Sequence, residues 1–182
     1  MASTINATTS SGIVATADNT GSLALQSAGT TAATFNTYGM GLGSAVPSSG
    51  IGITFPAAQS ASSDANTLDD YEEGTWTGGL TGSNVTGLIL TSAKYTKVGR
   101  LVTLTATVTC TVTSSNVLTY VVIGSYPFAF ADITVGSALL NNNTKVGVSQ
   151  IAGGAVYAFF PAASAPVSGS ETIYLNVSYF AS

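Results

Sequence analysis

Four of the chain's eight carboxylates stand in one run of five residues, Asp69-Asp70-Tyr71-Glu72-Glu73, and the single tryptophan, Trp76, follows closely. Two carboxylates held at unequal pKa values are the equipment of glycoside cleavage, one as acid and the other as base or nucleophile. A second acid from outside the run would have to be Asp18, Asp64, Asp132 or Glu171. Clustered carboxylates are also hard oxygen ligands of the kind calcium takes. The run lacks the alternating D-x-D-x-D-G form of a calcium loop. The third reading is structural: a hydrated passage into a folded module, with Tyr71 and Trp76 anchoring it against the first strands. Lys94, Lys97 and Arg100 then supply counter-charges, and exposed pairs of that kind contribute only about 0 to 1 kcal/mol, so they would set register more than strength.

The chain has no histidine, which removes the commonest general base and the commonest neutral metal ligand. Serine–histidine and cysteine–histidine catalysis are excluded with it. The one cysteine, Cys110, has no intrachain partner and falls on the apolar side of an alternating segment, where it reads as a small buried hydrophobe. The expectation is a protein that is not an enzyme, with no catalytic residue, no metal ligand and no cofactor. The acidic run, Trp76 and the three cations are then interface or structural residues.

Charged residues are 7% of the chain, against about 25% in ordinary soluble domains. Ser, Thr, Gly, Ala and Asn fill the gap. A surface so poor in ions tends to associate, and its strand edges lack the usual protective charges. Much of it is therefore expected to be covered by copies of the same chain or by a larger assembly. The net charge of −4, with four cations in all, offers no footprint for phosphate backbones, so nucleic acid is not an expected partner. The start, MASTINATTS, has no basic and apolar leader pattern, and no apolar run approaches the roughly 20 residues of a membrane span, so membrane insertion is not expected.

The elements that must position these residues read as strands throughout. Residues 1–66 alternate short apolar pieces with Gly, Ser, Asn and Thr and carry no lysine, arginine or glutamate. Recurrent glycines and β-branched residues argue against helix there. Turn signals fall at Asp18-Asn19-Thr20-Gly21, Gly39-Met40-Gly41 and Pro47-Ser48-Ser49-Gly50. This part is expected to be an extended N-terminal arm or stem that pairs with neighbouring chains. Residues 67–182 are expected to form the main domain. Its clearest strand is Arg100–Thr113, where Val102, Leu104, Ala106, Val108, Cys110 and Val112 alternate with threonines, the signature of one face in a core. The threonine face is left for solvent or another chain. Further strands are expected at Leu80–Leu90 with a turn near Gly82-Ser83-Asn84, and at Ala93–Val98, Val117–Ile123, Ile133–Leu140, Lys145–Ile151, Val156–Phe160 and Thr172–Phe180. Many strands at short spacing, without an amphipathic helix, predict an all-β fold: an antiparallel, jelly-roll-like β-sandwich.

The aromatic residues Tyr126, Phe128, Phe130, Tyr157, Phe159, Phe160, Tyr174, Tyr179 and Phe180 fit either a sandwich core and subunit interface or a sugar-stacking surface.

Taken in order, SSDANTLDDYEEGTWT, KYTKVGRLVTLTATVT, GSYPF and ETIYLNVSYF resemble the C-terminal module found in many bacteriophage structural proteins, especially tail-fibre, spike and small virion-surface proteins. The resemblance spans Ser62 to Ser182, with Gly78-Gly79 where the family often has proline, and it does not extend through Ala129–Pro166. The segments GSLALQSAGTTAATF and GMGLGSAVPSSG are similar to the Gly- and Thr-rich stems that precede terminal domains in phage fibres. The resemblance implies a phage virion protein, commonly an intertwined homotrimer. Two roles stay open: a capsid decoration (cement) protein that reinforces the outer shell, or a short tail-fibre or spike tip. The implied partners are copies of itself, the major capsid protein or tail proteins, and, for the tip, a host-surface glycan. The implied location is the virion, on the capsid surface or the tail fibre.

Overall fold

The computed structural model describes residues 21–58, 62–64, 66–114, 119–140, 146–160 and 168–182. The chain divides into two compact units, with the boundary between Ser60 and Ala61. Among the described residues there is no helix, and the chain is all-β as its patterning predicts. The MASTINATTS segment, Asp18–Thr20, Ser115–Leu118, Asn141–Lys145 and Pro161–Val167 lie outside the described residues, and with them the expected starts at Val117 and Lys145.

In the first unit, β1 (Leu23–Ser27), β2 (Thr30–Asn36), β3 (Gly39–Leu42) and β4 (Gly52–Thr54) form a four-stranded sheet in that order. The expected short strands are present, and they pair with one another inside the chain. β1, β2 and β3 run antiparallel, whereas β4 joins β3 in parallel. Asn36 shapes the β2–β3 turn by accepting from the Tyr38 N–H at 2.8 Å, the backbone mimicry at which Asn excels. Leu23, Leu25, Ile51 and Ile53 of this unit are exposed.

The second unit is one curled sheet of nine strands. They are β5 (Tyr71–Thr75), β6 (Leu80–Ser83), β7 (Val85–Val98), β8 (Leu101–Val112), β9 (Thr119–Ile123), β10 (Thr134–Leu140), β11 (Val146–Ala152), β12 (Ala155–Phe160) and β13 (Gly169–Phe180). Their spatial order is β5-β7-β8-β13-β10-β11-β12-β9-β6, antiparallel at every step. β10, β11 and β12 form a meander and β13 returns beside β10, which is the Greek-key order. Gly153 and Gly154, both at positive φ (54° and 85°), make the two-residue β11–β12 turn, a geometry that matches strand twist and that few other residues adopt.

The sheet curls because β6 and β7 lie far apart in its order yet are separated only by Asn84. Asn84 takes φ 60°, which Asn tolerates better than most residues, and its carbonyl accepts from the Thr113 N–H at 2.9 Å. The predicted turn at Gly82-Ser83-Asn84 is thus the corner where the chain passes from the β9 edge to the β8 side. The separately expected Ala93–Val98 strand is the far half of β7. The concave face holds the core: Val102, Leu104, Val108, Val112, Val121, Ile123, Ile151, Val156, Phe160, Ile173 and Val177 are fully or nearly fully buried. Cys110 lies among them, as its place in the alternation predicts.

Candidate functional site: a buried ion pair and an uncharged sheet face

The acidic run is exposed at Tyr71 and Glu73 and buried at Asp70, and most of it is a strand. Tyr71–Thr75 is β5, an edge strand laid antiparallel on β7, with Glu72 opposite Lys97 and Glu73 opposite Thr96. Its carboxylates divide by strand alternation. Tyr71 and Glu73 share the outward face, where the Tyr71 hydroxyl donates to Glu73 Oε1 at 2.5 Å, and the neighbouring carboxylate holds the tyrosine pKa above its usual value. Glu72 turns the other way and accepts from the Tyr95 hydroxyl at 3.4 Å. Burial, with Glu72 beside it, raises the Tyr95 pKa. Charges on an edge strand discourage pairing with a further chain, which gives these acids a structural use.

Asp70 and Lys97 depart furthest from a surface pair. Their side chains are in direct contact, Nζ against Oδ2, and the residues are 2% and 4% exposed. The Asp70 carbonyl accepts from the Gly99 N–H at 2.9 Å, which ties it to the β7–β8 hairpin. The Phe128 ring covers the lysine, its centroid 5.3 Å from Nζ, and Tyr95 meets that ring edge-on at 5.2 Å. Burial lowers the Lys97 pKa, opposed by the negative charge of Asp69. Asp69 itself accepts from the Ser62 N–H at 2.7 Å. Breaking a buried pair on one side leaves an uncompensated charge and costs about 3–5 kcal/mol, far above the surface value expected from sequence.

The other named residues have mixed fates. Trp76 is buried, its Nε1 donating to the Lys94 carbonyl at 3.3 Å, so it anchors the end of β5, while Tyr71 stands exposed at its start. Lys94 is exposed on β7 opposite Thr75. Arg100 donates from Nε to the Ala181 carbonyl at 3.1 Å, pinning the chain end to the β7–β8 hairpin. The structure therefore brings Asp70 and Lys97 together, with Asp69 and Glu72 nearby. Phe128, remote in sequence, completes the group, and no local pattern announces it.

A second feature covers the convex face. β8 to β13 carry one charged residue among their described positions, Glu171, and it points inward and is buried. Outward stand the β8 threonines and, in register across the neighbouring strands, Tyr174, Leu139 and Val146. The next row is Asn176, Ser137, Val148, Phe159 and Tyr120. Val135 and Val146 are about two-thirds exposed, at 66% and 65%. Tyr157 and Phe159 stack with centroids 5.4 Å apart. An open depression of about 300 Å³, bordered by Thr105, Thr107, Ser137, Leu139, Tyr174 and Asn176, lies on this face. Of the aromatic residues, Phe160 and Tyr179 fill the core, while Tyr174 and Phe180 are exposed. Strand alternation alone does not predict the outward apolar positions, and their one signal in the sequence is that the runs TVGSALL and VGVSQIA carry aliphatic residues at both parities.

No family model matches the chain, and neither the curated proteins nor the solved structures give a significant match.

Proposed function

We propose that this protein is a structural component of a bacteriophage virion, a homotrimeric decoration protein that reinforces the outer capsid shell, with a jelly-roll-like sandwich as its main domain. The observation that carries an assembly role is the convex face: six neighbouring strands present aliphatic, aromatic and hydroxyl side chains and no exposed charge. A broad uncharged face that exposes aliphatic and aromatic side chains among hydroxyls is the kind of surface another protein covers. The resemblance of the acidic run, the KYTKVGRLVTLT segment and the final strand to phage virion modules supplies the setting. The partners are copies of the chain and the major capsid protein.

A tail-fibre or spike tip is the second reading. The depression beside Tyr174 favours it, because an exposed ring flanked by Asn176, Ser137 and threonine hydroxyls offers a sugar both a stacking surface and hydrogen-bond partners.

Quantitative mass spectrometry of purified virions, against the major capsid protein, tests both. Copies of the same order as the capsid subunits support decoration, and a handful per particle supports the fibre or spike. Absence from particles overturns both readings.

A further inference from the structure

We infer that Lys97 and Asp70 are the two ends of an intramolecular amide cross-link, in which the lysine nitrogen is joined to the Asp70 side-chain carboxyl carbon and β5 is fastened covalently to β7. The inference stands apart from any virion role. It rests on a lysine and an aspartate that touch each other and are both almost wholly buried. Phe128 lies over the nitrogen, Tyr95 packs on Phe128, and fully buried Val102 is the β8 partner of Lys97. The Gly99–Asp70 backbone bond fixes the aspartate at the hairpin, and the ladder fixes the lysine. Neither reactant has to be found by diffusion, which is where intramolecular reactions gain most.

The surroundings also select the reactive protonation states. An ammonium and a carboxylate stripped of water lose hydration that their mutual attraction repays only in part. Transfer of one proton from nitrogen to oxygen gives a neutral amine and a neutral carboxylic acid, the form low polarity favours. The lowered Lys97 pKa runs in that direction. The amine lone pair then adds to Cγ of Asp70, forming the N–C bond. The C–OH bond breaks, the nitrogen sheds one proton, and the two fragments leave as water. No oxidant, metal or second substrate is needed. The product is a neutral amide, so the buried charges disappear.

Intact-mass measurement and tryptic mapping of the full chain test the inference. The expected mass is one water below that of the sequence. Trypsin cuts after Lys94 but fails after an acylated Lys97, so Tyr95–Arg100 should appear uncut and joined to the fragment that ends at Lys94. Asp70→Ala and Lys97→Met should each restore the full mass, and Asp70→Ala should also restore cutting after Lys97. A wild-type mass equal to the sequence, with free Tyr95–Lys97, overturns the inference and leaves an ordinary ion pair. A loss of water with Tyr95–Lys97 still free overturns it too, since it places the dehydration elsewhere, as in a cyclic imide at another aspartate. The wild-type measurement decides the matter even if the variants do not fold.

Discussion

The Tyr179 hydroxyl donates to the Phe128 carbonyl at 2.9 Å, so the last strand of the curled sheet holds in place the segment whose ring covers Lys97. Tyr179 is 2% exposed, and its ring meets Tyr126 edge-on with centroids 6.3 Å apart. Tyr126 in turn packs on Phe130 at 5.4 Å. The hydroxyl holds the loop between β9 and β10 together with backbone bonds from the Ala131 N–H to the Phe180 carbonyl and from the Ser182 N–H to the Ala129 carbonyl.

Removing it should be felt in stability and in pH dependence. Tyr179→Phe leaves the Phe128 carbonyl without its donor, at a cost of about 1–3 kcal/mol. Burial pushes the Tyr179 pKa up to about 12 from 10.0. The folded-state pKa lies above the unfolded one, so the unfolded chain releases this proton first. The stabilisation is complete below pH 10 and is lost as the pH rises towards 12. Denaturation midpoints measured across that window should fall in the wild type and fall less in Tyr179→Phe. Parallel curves would assign the alkaline loss to other groups.

Trp76 offers a built-in reporter, because it is the only tryptophan and it is buried. Its emission should be blue-shifted in the native protein and move to the red in one transition, the unfolding of the nine-stranded unit. Trp76→Ala should cost about 3–5 kcal/mol, as for large aromatic truncations in cores. Trp76→Phe should cost less, since it keeps most of the packing and loses chiefly the bond to the Lys94 carbonyl. A Trp76→Ala protein as stable as wild type would mean that β5 is held without this anchor.

Gly136 and Gly147 should resist substitution although their φ angles are ordinary. A methyl group at Gly136 would run into the Asn176 carbonyl and the Val177 backbone, and one at Gly147 into the Phe159 carbonyl and the Phe160 ring. Backbone on the neighbouring strand cannot swing aside as a side-chain tip can, so Gly136→Ala should destabilise by about 1–3 kcal/mol. Gly79→Ala, with open space around the new methyl, serves as the control and should lie within about 0.5 kcal/mol of wild type. Urea midpoints of the three proteins check the ranking.

What the sequence displays is local, and its readable parts are local too. β8 is legible because Val102 to Val112 alternate with threonine without a break, and β13 because Ile173, Leu175, Val177 and Tyr179 recur at every second position. β5 is not, since Glu-Glu-Gly has little β preference and becomes a strand only by pairing with the β7 residues Tyr95–Val98. The insertion of β13 between β8 and β10 leaves no trace in either segment, because it is a pairing between distant parts of the chain. The candidate site divides the same way. Asp70 and Lys97 stand out as charges in a chain nearly devoid of them, but their burial depends on Phe128, which only the closed fold brings over.

The larger unit should fold by itself. Among the described residues its nine-stranded sheet is built from strands of this unit alone, and its buried core is drawn from residues of its own. A chain of residues 61–182 should keep a cooperative transition and the buried-tryptophan emission of the full protein. In the proposed role, removal of residues 1–60 should lower attachment to particles or the stability of the trimer. A truncated protein that attaches and trimerises unchanged would assign both properties to the larger unit.

The convex face gives the sharpest test of assembly. Val148 is 48% exposed at the centre of the row from Asn176 to Tyr120, so Val148→Lys adds a hydrated charge there without entering the core. Folding should be nearly untouched, with a stability change of about 0.5 kcal/mol or less, as for exposed sites free of special features. Association through this face should suffer much more, since an unpaired charge in a covered apolar interface costs several kcal/mol. Light scattering should find trimers in the wild type and smaller species in Val148→Lys at equal concentration. The conservative change Val148→Thr should stay close to wild type. A Val148→Lys protein that trimerises and joins particles as before would show that the face remains open to solvent, and the depression beside Tyr174 would then be the place to look for a bound sugar.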